Sequence, residues 1–551
     1  MLVKIDHKWL NTAMSKHAKH FIRDVSTGNH TTTKLFEKRK REYAEKHSMP
    51  CFSNIELLAA YRELLEKKEI APDKKLFKVL QKQKTRTLSG IASIAVLTKP
   101  WPCPGNCLYC PTEKGMPKSY FSDEPAVMRA VLTEFDPFRQ VQARINALNI
   151  TGHLTNKIEL IVMGGTFSTL PKKYQTWFIK RCFDAANGSV EAQNVEAQNL
   201  APLHFASLQT AQKRNESAKN RIIGLTLETR PDYITKKEIL WFRELGATRV
   251  EIGVQSIYDD VLKKNRRGHS VKETIRATKL LKDAGLKINY HLMPNLYGST
   301  IKRDLEMFET LFNNPNFKPD LIKIYPCVVT RDSDLEKLYR EKKFTPYTNA
   351  QLVELIMNIK KVIPPYVRIM RLGRDIPAPD IIGGNKLSNI RQIVHQKMET
   401  EHAKCQCIRC REIRDEKIIK ENIKMVRRDY NASGGTEIFL SFEDTKKDKL
   451  IALLRLRIPS LDVFIPVLKN ASIIREVHTY GETLEFSDRK KRASQHVGYG
   501  KLLITEAEKI TNKECNLSRI TVISGIGARN YYRKIGYRLR ETYMIKCLKN
   551  K

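Results

Sequence analysis

The sequence has no run of about 18 apolar residues, the length a membrane-crossing helix needs, and Met1 to Lys16 lack the short apolar core of a secretion signal. The expectation is a cytoplasmic protein. Acidic residues are in short supply, with 60 Asp and Glu against 98 Lys and Arg, a formal net charge of +38. The shortage is marked in the first hundred residues, which hold 21 basic and 10 acidic side chains. Apolar residues are not scarce: at 41 % of 551 residues they suffice for two to four domains with real cores, so the charge belongs on surfaces. Such a surface suits a polyanion, whether RNA, DNA or an anionic membrane face. General basicity of a proteome adapted to salt or heat is the competing explanation, and only a located site separates the two.

A disulfide framework is also missing. Eleven cysteines, an odd number, in a reducing compartment read as metal ligands or buried thiols, and six of them fall in two tight clusters.

Along the chain, residues 8–85 are charged, with Ile55, Leu57, Leu58, Tyr61, Leu64 and Leu65 at helical spacing. From Ser93 to about Met370, short β-branched runs (94–99, 157–163, 222–227, 249–254, 287–292 and 321–325) alternate with amphipathic stretches such as 271–284 and 352–362. This alternation predicts parallel strands with crossover helices in an α/β barrel of about six units. A tandem VEAQN at 190–199 reads as a duplicated surface insertion without chemistry. Residues 374–429 form a Pro-, Gly- and Cys-bearing connector, and 430–551 a second α/β unit with strand-like stretches at 437–441, 451–457, 472–479 and 518–524.

Cys103, Cys107 and Cys110 follow directly on the first barrel strand, where loops at the carboxyl ends of strands build active sites. Three thiolates suit a four-iron cluster with one open iron better than zinc, which would need a fourth ligand that Pro102, Pro104, Gly105 and Asn106 cannot supply. The spacing, with Tyr109 before the third cysteine, resembles the radical S-adenosylmethionine (SAM) signature. Gly164 and Gly165 follow the second strand and allow close backbone approach to a ligand. Glu228, Arg230 and Asp232, then Glu251, Gly253, Gln255 and Ser256, bring polar groups to the next two strand ends. In the C-terminal unit Gln495, Gly498 and Gly500 precede a helical run, an arrangement that turns backbone N–H groups toward a pyrophosphate. That unit resembles the acetyltransferase family that binds coenzyme A this way, with Tyr531 and Tyr532 where a tyrosine protonates the leaving thiolate.

Both halves together resemble the catalytic subunit of Elongator, the tRNA uridine acetyltransferase family, from about residue 76 to 548. The most specific stretches are Ile161–Phe167 (IVMGGTF), Glu228–Tyr233 (ETRPDY), Glu251–Ser256 (EIGVQS), Val426–Tyr430 (VRRDY) and Asn530–Tyr537 (NYYRKIGY). The resemblance implies a partial TIM-like radical SAM (β/α)6 barrel over 76–373, the connector with a zinc site over 374–429, and a GNAT-type acetyltransferase domain over 430–551. Residues 1–75 would be a basic helical, tRNA-binding region. Cys103, Cys107 and Cys110 would hold a 4Fe-4S cluster, with Gly164, Gly165, Glu228 and Gln255 at SAM. Acetyl-CoA would engage Lys157, Glu476, Val477, His478, Thr479, Tyr499, Gly500, Lys501 and Tyr532, with Tyr532 and Lys157 catalytic. Val477 and Thr479, in a run that the family reads as glutamate-leucine-histidine-valine, and Lys501, in place of an apolar residue, depart from the family pattern, which backbone contacts to coenzyme A tolerate.

Cys405, Cys407 and Cys410 lie within six residues in the connector. A four-cysteine zinc site needs one more ligand; Cys327 is the leading candidate and His402 the next. The implied activity is carboxymethylation at carbon 5 of the wobble uridine, by a SAM-derived radical acting on the acetyl methyl, with the anticodon arm of tRNA held by basic segments. Two rivals stay open: a protein lysine acetyltransferase with a structural cluster, and a tRNA-binding scaffold. A homodimer or accessory subunits are likewise left open.

Overall fold

The computed structural model describes residues 12–26, 32–82, 87, 89–189, 205–414, 416, 418–481 and 498–548. The tandem VEAQN segment and Gln495 lie outside these residues.

Helices Thr12–Ser26, Thr33–Lys46, Asn54–Glu66 and Lys74–Leu80 bury Phe21, Ile22, Phe36, Phe52, Leu57, Leu58, Leu64, Leu76 and Leu80 in a core of their own. Ser53 and Glu56 cap the third of these helices reciprocally, satisfying two backbone donors that would otherwise be orphaned. The bundle runs on to Leu80, past the boundary expected at residue 75. It is tied to the next unit where Arg62 Nη2 donates to the Asn149 carbonyl at 2.6 Å.

The next unit is a curled parallel sheet with helical crossovers: β1 (Ala92–Leu97), β2 (Lys157–Met163), β3 (Arg221–Thr229), β4 (Arg249–Gln255), β5 (Lys287–Leu292), β6 (Leu321–Ile324) and, after a short β7 (Val329–Thr330), β8 (Arg368–Leu372). Neighbours pair in the order β1-β2-β3-β4-β5-β6-β8, each in parallel. The seventh strand was not expected, because Arg368 and Arg371 interrupt its short apolar run. β7 pairs instead with β9 (Ile381–Gly383).

Side-chain alternation separates two faces. Val250, Ile252, Val254, Ile288, Tyr290 and Leu292 join the main apolar core. The opposite face carries Glu228, Arg249, Glu251, Gln255, Lys287, Asn289, His291 and Lys323, so the concave side of the sheet is polar. Among the crossovers, helix Val271–Asp283 is set by a Ser270/Glu273 capping box and Asn349–Lys361 by Thr348/Gln351.

A second seven-stranded sheet comprises β10 (Ile423–Ala432), β11 (Gly435–Asp444), β12 (Lys449–Ile458), β13 (Ser472–Thr479), β14 (Arg519–Val522), β15 (Arg538–Arg540) and β16 (Tyr543–Cys547), in the order β10-β11-β12-β13-β14-β16-β15. It begins at Ile423, so Val426–Tyr430 lies within its edge strand and not in the connector. β13 and β14 are its parallel pair; they match only from Ser472 to Ile474, beyond which β13 runs on to Thr479 paired with β12. A bulge opposite Arg455 and Leu456 leaves Arg475 unpaired in the ladder and turns it toward the barrel.

The two sheets are joined by a buried ion network. Arg475 reaches Asp320 and Glu437; Arg457 reaches Asp283 and Glu437; Arg455 and Lys287 both reach Glu476. Gly525 is required at the seam, since a Cβ there would lie 2.0 Å from the Ile223 carbonyl oxygen. No helix among the described residues is long and apolar enough to cross a membrane.

Candidate active site

Beyond β1 the chain leaves the sheet through Pro100, Pro102 and Pro104, whose fixed φ angles keep the cysteine loop extended. Cys103 is exposed, Cys107 buried and Cys110 half-buried. Gly105 lies where they converge: a Cβ there would stand 3.7 Å from the Sγ of both Cys103 and Cys107 and 2.8 Å from Arg230 Nη1. Two thiols and a guanidinium thus face a concave stretch of backbone that any side chain would fill. Arg230 is fixed by two bonds to Asp232, of 2.9 and 2.8 Å. Arg267 Nη1 lies 3.7 Å from Cys107 Sγ, while its Nη2 donates to the Gly253 carbonyl at 2.7 Å.

A hydrogen bond from Cys110 brings the Cys107 thiol down to about 5, with Arg267 assisting and burial opposing; the same bond, together with burial, raises Cys110. The pair thus favours the thiolate form at Cys107, the form that iron binds.

These cysteines line a cavity of about 650 Å³ with Gly165, Glu228, Glu251, Gln255, His291, Lys323 and Tyr325. Gly164 supports its wall from behind; at φ +128°, a Cβ would fall 2.1 Å from Thr98 Oγ1. Gln255 holds φ +65° at the end of β4, and its buried side-chain oxygen has no partner within the described residues. The hydroxyl of Tyr109 is likewise buried and unpartnered. Two sulfurs at a glycine cradle, a third cysteine lining the same cavity and an orphaned amide oxygen fit a four-iron cluster and a ligand that brings an ammonium group. The structure brings Gly165, Glu228 and Gln255 to the cysteines, as expected.

The floor of the cavity holds residues the sequence reading did not use. His291 Nε2 lies 2.7 Å from Glu251 Oε2. Lys323 bonds Glu251 and stands 3.4 Å from Glu228 Oε1. Burial works against the charge on both, yet Glu251 is held well below the usual carboxylate range by Lys323 and His291, and Lys323 is raised by Glu251. The signal was available in the alternation of β4, with polar residues at 249, 251 and 255 and a glycine at 253, and of β5, with polar residues at 287, 289 and 291.

In the second sheet, Val477, Thr479 and Gly500 come together: a Cβ on Gly500 would meet Thr479 Oγ1 at 3.4 Å and Val477 Cγ1 at 3.7 Å. Helix Tyr499–Lys509 starts at Gly498, which is left-handed at φ +81° and supplies no side-chain cap, so its first N–H groups receive none from that residue. Tyr499 is buried against Phe442, whereas Lys501 is exposed. Glu476 and His478 do not offer their side chains here. The Glu476 carboxylate lies 2.9 Å from both Lys287 and Arg455, and His478 Nε2 donates to the Ser89 carbonyl at 2.8 Å. What they present beside the opening between β13 and β14 is backbone. Tyr532 is buried and its hydroxyl pushed up by that burial; Tyr531 is 44 % exposed. Lys157 begins β2, at the end of the barrel opposite the cysteine loop, where burial and then Arg221 lower its ammonium.

The sulfurs of Cys405, Cys407 and Cys410 lie within 4.8 Å of one another. Cys327 does not join them. It is buried with Cys107, Tyr109, Val261 and Leu296, its N–H bonded to Pro294 and its carbonyl to Asn295, and burial pushes its thiol up to about 12. His402 is absent from the group too. The residue that reaches it is His395, on helix Ile390–Thr400, with Nε2 3.9 Å from Cys410 Sγ; Lys360 Nζ lies 3.4 Å from the same sulfur.

A parallel half-barrel with three cysteines in the loop after its first strand defines a radical SAM protein, and residues 103–311 match the radical SAM superfamily model, with 319–400 matching the radical SAM C-terminal domain. The chain is 47 % identical over 90 % of its length to a tRNA uridine(34) acetyltransferase of Methanocaldococcus infernus, covering 91 % of it, and 41 % identical over 86 % of its length to human Elongator complex protein 3, covering 87 %. It belongs to this family, the tRNA uridine(34) acetyltransferases and Elongator complex protein 3. The solved structure of the archaeal M. infernus Elp3 with its N-terminus deleted shares the fold at a TM-score of 0.71 and 44 % identity, over 83 % of this chain and 99 % of that one.

Proposed function

We propose that this chain modifies carbon 5 of the wobble uridine of tRNA, taking a two-carbon unit from acetyl-CoA. The observation that carries the reading is the single cavity shared by the three cysteines and a row of ionisable side chains, in a barrel fused through buried ion pairs to the second sheet. When bound, a 4Fe-4S cluster and SAM supply a radical able to take hydrogen from an unactivated C–H bond, which acid–base chemistry cannot readily do.

Cys103, Cys107 and Cys110 would hold the cluster, and Gly165, Glu228 and Gln255 would line SAM, with the Gln255 oxygen receiving its ammonium group. The second sheet is read as a GNAT-type domain. The half-buried backbone of β13 over 477–479, on the side facing away from β12, and the N–H groups after Gly498 would bind acetyl-CoA, and Tyr532 would keep a proton ready for the departing thiolate. Lys157 would face the same ligand from the barrel. Cys405, Cys407, Cys410 and His395 form a donor set suited to tetrahedral zinc, pinning the connector to the barrel. The basic N-terminal helices would grip the anticodon arm.

The test is anaerobically reconstituted protein with unmodified tRNA, SAM and acetyl-CoA labelled in the acetyl group. Label should reach uridine carbon 5 only with SAM, and not with Cys107→Ala. Label on a protein lysine without SAM would establish the lysine acetyltransferase instead.

A further inference from the structure

Replacing the hydrogen on carbon 5 of uracil requires that hydrogen to leave, and the cavity floor contains a group placed to receive it. Glu228, Glu251 and His291 come from β3, β4 and β5, and their ligating atoms lie within 4.8 Å of one another, a spacing that would also suit a metal ion. Lys323 already supplies the cation there, through its contacts to both carboxylates. The groups facing His291 are Glu251 and Arg249 of β4, Lys323 of β6, Tyr325 just beyond it, and Glu228 of β3. Glu251 is held anionic by Lys323 and His291, and Lys323 cationic by Glu251, so the imidazole lies between a fixed charge pair and the cavity. With Nε2 bound to Glu251, its proton sits there; Nδ1 has no partner among the described residues, and the side chain lines the cavity. A carboxylate-oriented imidazole with one open nitrogen is the arrangement of a general base.

We infer that His291, oriented by Glu251, accepts the proton released from uridine carbon 5. This rests on the function proposed above. The acetyl methyl carbon bonds to carbon 5, leaving an unpaired electron at carbon 6. The C5–H bond then breaks: its proton goes to His291 Nδ1, its electron pair restores the C5–C6 double bond, and the one surplus electron would be taken by a one-electron acceptor of the oxidised iron–sulfur class, which Cys103, Cys107 and Cys110 would hold. Glu251 is a positioning residue, and Lys323 keeps it ionised.

The experiment compares wild type with His291→Ala and His291→Gln. Failure of wild type to label carbon 5 would overturn the functional reading itself. Given an active wild type, the iron-free variants should bind tRNA as tightly as wild type, and the loaded variants should release 5'-deoxyadenosine at the wild-type rate. Labelled tRNA should fall at least about 100-fold, the lower range for loss of a general base, with partial rescue of His291→Ala by added imidazole. Deuterium at carbon 5 should slow the variants more than wild type. Product within about threefold of wild type overturns the inference. So does a loss of tRNA binding or of 5'-deoxyadenosine in step with product, which would mark His291 as a packing or substrate-binding residue.

Discussion

Arg475 of β13 and Asp320, the residue before β6, form a two-point ion pair across the seam between the sheets, with Nη1 2.9 Å from Oδ1 and neither side chain exposed. The bulge in β13 aims Arg475 there, and Lys282 and Arg455 stand 3.6 and 3.7 Å from the same carboxylate oxygen. Removing one partner of a buried pair leaves an uncompensated charge, at a cost of about 3–5 kcal/mol. Asp320→Ala should lower stability by that order in chemical denaturation of the full chain. Asp260→Ala, whose pair with Arg303 is exposed, should cost under about 1 kcal/mol.

The same network sets the acid limit. Burial opposes ionisation of Asp320, Glu437 and Glu476, yet Arg475 holds the first two, and Lys287 and Arg455 the third, below the ordinary carboxylate range; Arg428 and Arg411 bring Glu443 to about 2. Depressed values in the folded state mean stability that is complete above the unfolded-state range of about 4 and is lost as pH falls through the folded values. Urea midpoints should therefore hold steady from neutral pH to about 5 and drop progressively toward pH 2. Asp320→Asn should show a shallower decline. An acid-insensitive wild type would contradict this account.

Metal content separates the two thiol clusters. Protein with Cys103, Cys107 and Cys110 all changed to alanine should contain about one zinc per chain by mass spectrometry. His395→Ala should lose most of it, and Cys327→Ala none. Chelation should loosen the connector, seen as faster proteolysis within 403–414.

How much of this was legible in the sequence depended on whether the signal was local. The 103–110 loop was readable because its three ligands are consecutive in one loop and follow a strand. The fourth partner of Cys410 was not: His395 lies fifteen residues upstream, brought there by the packing of a helix, while Cys327 seemed suitable only because its companions in the fold were unknown. β8 was hidden by its two arginines. Glu476 stands at a position that the family resemblance gives to acetyl-CoA, but its side chain serves the seam, which depends on β12 and β5 and so on tertiary pairing. The concave row from Glu228 to Lys323 left a trace as alternation along β4 and β5, which was read as strand ends and not as a lining.

Gly105 is the most economical test of the cluster site. An added methyl would push against the Arg230 guanidinium at 2.8 Å and occupy the space between the two flanking sulfurs, each 3.7 Å away. Gly105→Ala should fold with wild-type circular dichroism and melting temperature, yet take up less than about half the iron on reconstitution. Gly115→Ala is the control for the loop: Gly115 has open space around its Cβ position, though its positive φ adds a strain of about 1 kcal/mol. Full iron loading by Gly105→Ala would mean that the cradle is not where the cluster sits.

Tyr532 and its neighbour Tyr531 can be told apart by removing one oxygen atom from each. Their rings lie 5.2 Å apart, but only Tyr532 is buried, and burial raises its hydroxyl so that it keeps its proton throughout the neutral range. On the function proposed above, a coenzyme A thiolate would depart beside that hydroxyl and draw its proton as the C–S bond breaks, a coupled transfer, since a free thiolate whose thiol has a pKa of about 8.5 is the weaker base. Tyr532→Phe preserves the ring contacts with Tyr531 and Tyr537 and deletes the donor. Turnover of acetyl-CoA should fall about 100-fold with KM for acetyl-CoA within about twofold of wild type. Tyr531→Phe should stay within about twofold in both. If the two variants behaved alike, or if Tyr532→Phe raised KM without lowering kcat, the hydroxyl would be a binding contact and the proton would have to come from elsewhere.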